Sequence, residues 1–390
     1  MWFLQAEIAV RLFAAGAVWM VLAALAGRSG RQARLNRFLV VADIALLLTV
    51  SVPLTVFYVV YTAVTWLLTC LALTANRWKE GDRPMTGRVL FVVLCLLAIA
   101  PFLYLRAAEV LSSLPVLLTL VGFSYNMLKA VDGIYFVYYT GEPLDPVVYA
   151  NYILFFPVFT AGPILRYRDF LRDMTRPAPI TAERFILFLK RLIRGYFKKV
   201  VVLVLVSILL SRLAGLGQHV WLSVLVCLVS YLLLWLDMSG YADIAIALGG
   251  CMGFTVAENF KKPLQSPSFT QFWRNWHVSL TDWIREHIFV VLNGKKLSRY
   301  QGAILGFGTM MVMNFWHGMS KTFLLDGLLM GSMLAAENLL GISTVNRRKV
   351  KKSYFRFRCA VVTLLFAFDT IFYTLTPEEL SNVLHGFLHL

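Results

Sequence analysis

The stretch that decides the fold is FLVVADIALLLTVSVPLTVFYVVYTAVTWLLTCLALTA, residues 38–75, in which Asp43 is the only charged residue. A helix needs about 20 mostly apolar residues to cross a bilayer. The stretch is too long for one crossing, and Pro53 near its middle lacks the backbone N–H that a continuous helix uses. We therefore predict two membrane-spanning helices that separate at Pro53.

The composition of the whole chain agrees with a membrane protein. Of its 390 residues, 59% are hydrophobic and 15% are charged, whereas soluble domains are about 45–50% apolar and about 25% charged. The mean hydropathy of +0.71 likewise excludes an ordinary cytosolic enzyme. The net charge of +16 does not indicate a nucleic-acid partner, because the basic residues lie in short tracts between apolar runs. Membrane proteins mark their cytoplasmic loops in this way.

Further apolar stretches predict the rest of the architecture. They are 4–26, 89–105, 110–128, 147–165, 185–213, 220–236, 302–316, 322–341 and 359–376. The first lacks the basic start of a signal peptide, so we interpret it as a retained transmembrane helix. We predict an all-α polytopic membrane protein with roughly 10–12 transmembrane helices. The stretches 147–165 and 240–256 are expected to pair up or to enter without crossing, and the chain 1–390 is expected to form one domain.

Four basic tracts predict the orientation of the chain. They are 28–37, 77–88, 166–199 and 347–358. Basic loops stay on the cytoplasmic side, where they orient helices and contact anionic lipids. This places the N-terminus outside.

The cysteines indicate no metal or disulfide site. There are five of them, none in a C-x-x-C pair, and most lie in apolar runs: Cys70, Cys95, Cys227, Cys251 and Cys359. We expect small buried side chains there rather than a disulfide framework, a zinc site or an iron–sulfur cluster.

The segment 272–288 is the first candidate for function. At 100° per residue, three tryptophans and their apolar neighbours share one face, two arginines lie opposite, and His277 falls at the boundary. We predict one helix lying at the membrane interface, beginning near Gln271 with Thr270 as its cap. A plain amphipathic surface helix explains the pattern equally well.

The segment MVMNFWHGMSKTF, residues 311–323, is the second candidate. A neutral imidazole in an apolar pocket can act as a general base, which makes His317 a candidate catalytic residue. Gly318 is expected to leave room for a substrate to approach the backbone. The alternative for His317 is a helix-end histidine bonded to a carbonyl.

Taken together, the motifs resemble those of the membrane-bound O-acyltransferase (MBOAT) family. They are ENFKKPLQSPSFTQFWRNWHVSL (258–280), NFWHG (314–318) and NYILFFPVFTAGPILRYRDF (151–170). The pairing of F-W-x-x-W-H with a downstream W-H-G is more specific than either part alone, and the resemblance covers about 120–340. Within the family, the short chain is most similar to the bacterial DltB type, which transfers D-alanine to teichoic acid. The longer alginate and peptidoglycan O-acetyltransferases share these motifs.

The resemblance implies a site around a central tunnel. It implies that His317 is the essential catalytic residue and that His277 is a second functional histidine near the same tunnel. Other residues expected to line the tunnel are Arg274, Trp276, Ser279, Asn314 and Trp316. The chain departs from the family pattern at Arg285-Glu286-His287 and at Met127-Leu128-Lys129, which leaves the donor and acceptor open.

The resemblance also implies the reaction and its partners. A small acyl group would pass from a phosphopantetheine thioester to a hydroxyl on the outer side of a bacterial cytoplasmic membrane. D-alanyl is the favoured group, and acetyl is the alternative. The thioester would be carried by an acidic carrier protein docked on a basic cytoplasmic loop. No permanently bound cofactor or metal is expected. Other membrane or extracytoplasmic proteins of the pathway are expected partners. A transporter or lipid flippase is the alternative from another class.

Overall fold

The computed structural model describes residues 32–111, 122–176, 178–216, 219–289 and 298–388. The all-α class is confirmed: within these ranges there is no strand, only an isolated antiparallel bridge between Phe260 and Trp276. The α-helices are α1 (Gln32–Val50), α2 (Val52–Glu80), α3 (Pro84–Val110), α4 (Phe123–Thr140), α5 (Pro146–Leu154), α6 (Tyr167–Thr175), α7 (Ala182–Tyr196), α8 (Leu203–Ala214), α9 (Val220–Cys251), α10 (Phe269–Trp273), α11 (Val278–Ile284), α12 (Arg299–His317), α13 (Lys321–Leu339), α14 (Lys352–Thr374) and α15 (Pro377–Gly386). Short 3₁₀ turns lie at Phe156–Val158 and Pro263–Gln265, and π-helical turns at Phe197–Val202 and Arg285–Phe289.

The predicted break in the stretch 38–75 is confirmed. α1 ends at Val50 and α2 begins at Val52, with Ser51 between them. The Ser51 side chain accepts a hydrogen bond from the Leu54 N–H at 3.4 Å. Pro53 lies in the first turn of α2, where its missing N–H leaves no helical hydrogen bond unmade. The proline therefore starts a helix here rather than interrupting one.

Three of the described helices are long and apolar enough to cross a membrane, namely α2, α3 and α9. The count of roughly 10–12 crossings stays a prediction. The predicted first span at 4–26 lies outside the described residues, as does the middle of 110–128. The stretch 147–165 forms only a short helix and a 3₁₀ turn.

The predicted separation of 220–236 from 240–256 is wrong, because α9 is continuous over 32 residues. Gly240 within this helix serves close packing. A Cβ at Gly240 would lie 2.9 Å from Lys199 Cγ and 3.2 Å from the Gly195 carbonyl oxygen. Glycine is needed there because the side of α7 and the following turn comes so near.

The chain divides into two compact units. One comprises Met1–Leu192 and Ile244–Ala257, and the other comprises Ile193–Asp243 and Glu258–Leu390. The expectation of one domain over 1–390 stays a prediction.

In the first unit, a buried carboxylate organises the segment 151–170. Asp132 on α4 accepts hydrogen bonds from the Tyr152 hydroxyl at 3.0 Å and from the Tyr167 N–H at 2.6 Å. Lys129, one turn earlier, donates to the Ile153 carbonyl at 2.7 Å. These bonds satisfy groups that would otherwise be buried without a partner.

In the second unit, charged residues on α9 are paired. Asp243 accepts hydrogen bonds from Arg194 at 2.8 Å and from Lys198 at 2.8 Å, and Asp237 contacts Lys199. Charges on an apolar helix are expensive unless they are paired in this way.

We predict that Asp243→Asn lowers the free energy of unfolding by roughly 2 kcal/mol. This is less than the 3–5 kcal/mol expected for a fully buried pair, because the Arg194 side chain is 57% exposed. Thermal unfolding in detergent measures this difference in the free energy of unfolding between the variant and the unmodified chain. The matched control is Asp282→Asn, which removes a pair between the half-exposed Asp282 and the exposed Arg285. It should change stability by less than about 1 kcal/mol. Equal effects of the two substitutions would contradict a role of the Asp243 pairs.

Candidate active site

His277 lies in a break between two short helices. α10 ends at Trp273 and α11 begins at Val278, while His277 has φ 48° and ψ 47°. It is the only non-glycine residue with positive φ in the described ranges. The predicted single helix over 272–288 is therefore wrong. Periodicity shows which side chains share a face, but it does not reveal one reversed backbone position, which costs on the order of 1–3 kcal/mol and persists only where tertiary contacts fix it.

Asn259 supplies the contacts that fix the break. Its side-chain oxygen accepts hydrogen bonds from the Ser279 N–H at 3.0 Å and from the Ser279 hydroxyl at 2.8 Å. Its carbonyl accepts from the Val278 N–H at 3.0 Å. Asn259 thereby satisfies the first N–H groups of α11, for which His277 provides no side-chain cap. The buried Ser279 hydroxyl, which the sequence placed in the tunnel, thus donates its hydrogen to Asn259.

Trp276 anchors the break in an aromatic cluster. Its ring lies 5.0 Å from that of Phe366, 5.5 Å from that of Phe272 and 5.6 Å from that of Tyr231. Only 2% of Trp276 is exposed. The indole is therefore a packed part of the core of this unit, and it holds the neighbouring His277 backbone in place.

A carboxylate on α13 holds the start of α10. Glu337 accepts hydrogen bonds from the Phe269 N–H at 2.7 Å and from the Thr270 N–H at 3.1 Å. The cap of α10 is Ser268, which accepts from the Gln271 N–H at 3.1 Å. The prediction of Thr270 as the cap is wrong by two positions, since Thr270 lies inside α10 and its hydroxyl donates to Glu337 at 3.2 Å.

His317 is the last residue of α12, and its side chain is exposed. Its imidazole lies 6.1 Å from the Phe323 ring and 5.6 Å from the Tyr373 ring. The expectation for Gly318 is wrong, because a Cβ there would come within 2.6 Å of the Phe323 ring. The glycine makes room for Phe323, which packs beside His317, rather than for a substrate.

The fold brings the two histidine motifs together. His277 is 3% exposed, and His317 is near enough for the two imidazoles to interact electrostatically. Burial lowers the pKa of His277 well below its ordinary value, and His317 lowers it further. His277 is thus a neutral hydrogen-bonding group, while the exposed His317 is accessible to an incoming molecule.

Behind His317 lies a polar network that the sequence interpretation missed. The Tyr373 hydroxyl lies 2.6 Å from Asn314 Oδ1 and also contacts Asp326 Oδ2. Asp369 interacts with Asp326 in turn. Asp326 and Asp369 are almost completely buried. A signal existed, because each is a carboxylate inside an apolar run, the feature that had singled out other segments.

The remaining predicted tunnel residues occupy different surroundings. Arg274 ends α10 and is exposed, whereas Trp316 is half-buried, with its ring 4.9 Å from the His317 imidazole. Asn314 is buried one turn before His317, and its amide N–H donates to the Met310 carbonyl at 3.1 Å. Within the described residues, no group of three His, Cys, Asp or Glu side chains is arranged to hold a metal ion.

A groove of about 590 Å³ lies at the start of α14. We call it the basic groove. Its lining combines three cationic side chains with apolar ones: Leu264, Gln265, Arg347, Lys352, Phe355, Arg356, Cys359, Ala360, Thr363 and Leu364. It contains no acidic residue, so it is suited to an anion that also has an apolar part.

We predict that His277 makes stability depend on pH. The folded protein keeps His277 neutral, whereas the unfolded chain protonates it below about pH 6.5. The unfolded state then binds more protons, so stability decreases as the pH falls, by up to about 1.4 kcal/mol per pH unit. Thermal unfolding at a series of pH values should show a shallower decrease for His277→Gln than for the unmodified chain. The control His385→Gln alters an exposed histidine and should keep the original slope. An unchanged slope in His277→Gln would refute the prediction.

Comparison with known proteins identifies relatives of this chain. A probable alginate O-acetylase AlgI from Pseudomonas syringae is 34% identical over 233 residues, which cover 57% of this chain and 44% of that protein. A teichoic acid D-alanyltransferase from Streptococcus thermophilus is 27% identical over 299 residues, 70% of each chain. A peptidoglycan O-acetyltransferase from Helicobacter pylori is 30% identical over 212 residues, 50% of this chain and 38% of that protein. The matched region thus spans less than half the length of the alginate O-acetylase.

The family comparison covers much more of the chain. The sequence model of the membrane-bound O-acyltransferase family matches residues 38–379. This range contains the segment around Asp132, the break at His277 and the end of α12 at His317. Three described helices are also suited to crossing a membrane. The chain is a membrane protein and belongs to the membrane-bound O-acyltransferase family.

Proposed function

We propose that this protein transfers a short acyl group from a carrier-protein thioester to a hydroxyl group of a cell-surface polymer. The observation that carries the proposal is the approach of His277 and His317, which come from motifs far apart in the chain. Membership in the acyltransferase family supports the reaction class.

The acyl group is proposed to be acetyl. The relatives named as O-acetylases or O-acetyltransferases are 30–34% identical to this chain, and the teichoic acid D-alanyltransferases are 27–28% identical. D-alanyl, which the sequence resemblance favoured, is the second candidate, because one D-alanyltransferase matches over 70% of both chains.

In the proposed mechanism, His317 is the general base. Its neutral imidazole accepts the proton of the acceptor hydroxyl while that oxygen attacks the thioester carbonyl. The tetrahedral intermediate then collapses, the carbon–sulfur bond breaks, and the departing sulfur takes the proton from His317. The products are an ester and a free thiol. The low basicity of buried His277 suits it to orient a substrate by hydrogen bonding rather than to accept the proton.

The basic groove is proposed to dock the carrier protein. Carrier proteins of this kind are acidic, and the phosphate of the phosphopantetheine arm adds further charge. Arg347, Lys352 and Arg356 supply a matching cationic surface. A cytoplasmic position of the groove follows from the orientation that the basic tracts predict. Anionic lipid is the competing occupant of the same surface.

His317→Ala should insert and fold but lose acyl transfer by about 10²–10⁴-fold, the usual contribution of a general base. The assay uses the full chain in lipid vesicles with labelled acetyl and D-alanyl carrier thioesters, and it measures both ester formed and thiol released. We expect an acetyl ester as the main product.

The control for this experiment is His385→Ala, which removes an exposed histidine far along the chain. It should leave transfer unchanged. Full activity of folded His317→Ala would overturn the proposed mechanism. A D-alanyl ester as the main product would select the second candidate, and transport without ester formation would favour the transporter.

Charge reversal separates the groove from the rest of its basic tract. Changing Arg347, Lys352 and Arg356 to Glu should weaken carrier binding at least tenfold at low salt, because surface attraction becomes repulsion. The matched variant changes Arg348, Lys349 and Lys351, which belong to the same tract but do not line the groove. It carries the same net charge and should bind the carrier more tightly than the groove variant. Equal weakening by both would indicate a diffuse charge effect instead of a docking site.

If only the groove variant lost binding to anionic vesicles while carrier binding stayed unchanged, the groove would be a lipid site.

A further inference from the structure

The Tyr373 hydroxyl joins three helices behind His317. It lies between Asn314 Oδ1 on α12, at 2.6 Å, and Asp326 Oδ2 on α13, while Tyr373 itself belongs to α14. Asn314 is 4% exposed and Asp326 is 1% exposed. Tyr373 itself is half-buried, so its hydroxyl reaches two partners that are shielded from water, and each of the two hydrogen bonds needs its own hydrogen.

Counting hydrogens assigns the donors. The Asn314 N–H donates to the Met310 carbonyl at 3.1 Å, which fixes the amide with its oxygen toward Tyr373. An amide oxygen can only accept, so the single hydroxyl hydrogen of Tyr373 must point to Asn314. The contact between Tyr373 and Asp326 then lacks a hydrogen unless the carboxyl of Asp326 provides it.

A second carboxyl also favours a proton in this network, although the hydrogen count alone assigns it to Asp326. Asp369 lies one turn before Tyr373 on α14, is 2% exposed and interacts with Asp326. Two buried carboxyl groups in contact repel each other when both are ionised, and this favours a proton on one of them. The titratable groups that face Asp326 are thus Asp369 and Tyr373, with His317 beyond the tyrosine ring.

The network bears directly on His317. Asn314 precedes His317 by three residues on the same helix, and the Tyr373 ring stands edge-on to the imidazole, with the ring planes at 86°. Phe323 packs against both rings, at 5.2 Å from Tyr373 and 6.1 Å from His317. Movement of Tyr373 would therefore release the end of α12 and one side of the imidazole together.

We propose that Asp326 is a positioning residue that acts as a neutral acid: it donates a hydrogen bond to Tyr373, which donates to Asn314 and holds the His317 imidazole in place. The catalytic consequence rests on the proposed function. The direction of hydrogen bonding, Asp326 to Tyr373 to Asn314, does not depend on it. Ionisation of Asp326 at high pH would remove the donor and disconnect the tyrosine.

The first test needs no activity. Infrared spectra of the full chain in lipid should contain the C=O stretching band of a protonated carboxylic acid, and Asp326→Asn should lose or shift that band. Asp282→Asn, which removes a half-exposed carboxylate paired with Arg285, should retain it. An unchanged band in Asp326→Asn would overturn the assignment of the proton.

The second test measures kcat for acyl transfer as a function of pH. Asp326→Asn keeps a donor for Tyr373 and cannot ionise, so it should retain transfer and lose the decline at alkaline pH. Tyr373→Phe and Asp326→Leu break the chain of donors, and kcat should fall at least about tenfold, the equivalent of one hydrogen bond. KM should change less than kcat, since the network does not contact the substrate.

The outcomes separate this inference from the proposed function. An alkaline decline that persists in Asp326→Asn, or full activity of folded Tyr373→Phe, would overturn the positioning role while leaving the acyltransferase intact. Full activity of His317→Ala would instead remove the proposed function, and the infrared result would still decide the protonation of Asp326.

Discussion

The site depends on one constrained peptide unit, the left-handed backbone at His277. A histidine adopts this conformation only when its neighbours leave no alternative. Here Asn259 binds the start of the following helix, Trp276 is packed among aromatic rings, and Glu337 holds the preceding helix. Each contact comes from a different element, so the position of the imidazole is set by the packing of the whole unit rather than by the motif alone.

The sequence predicted those features that are set by length, composition and local chemistry. The break at Pro53 was predictable because a proline in a long apolar run restricts the helix locally. The division of α10 from α11 was not predictable. Asn259 stands in the same motif as His277, but the pattern does not show that its side chain bonds Ser279 and so fixes the reversal. The continuity of α9 was also missed, and Gly240 within it lets another helix approach.

The candidate site shows the same limit. His277 and His317 could be singled out from their motifs, and the fold brings them close enough to interact. The residues behind them could have been found by extending one criterion, that a carboxylate in an apolar run must have a partner. What no pattern could supply was the identity of those partners. The contact of Asp326 with Tyr373, and of Tyr373 with Asn314, links three helices through side chains widely separated in the sequence.

The length of α9 has a consequence for the bilayer around it. At 1.5 Å per residue, its 32 residues extend for about 48 Å, far more than the roughly 30 Å of a hydrocarbon core. The apolar part from Val220 to Trp235 accounts for about half of that length. With that part in the hydrocarbon, Asp237 and Asp243 and their partners Arg194, Lys198 and Lys199 would lie at the depth of the lipid headgroups. Hydrophobic matching would thus fix how deeply this helix sits, and the charged cluster would resist any change in tilt or membrane thickness that drew it into the hydrocarbon.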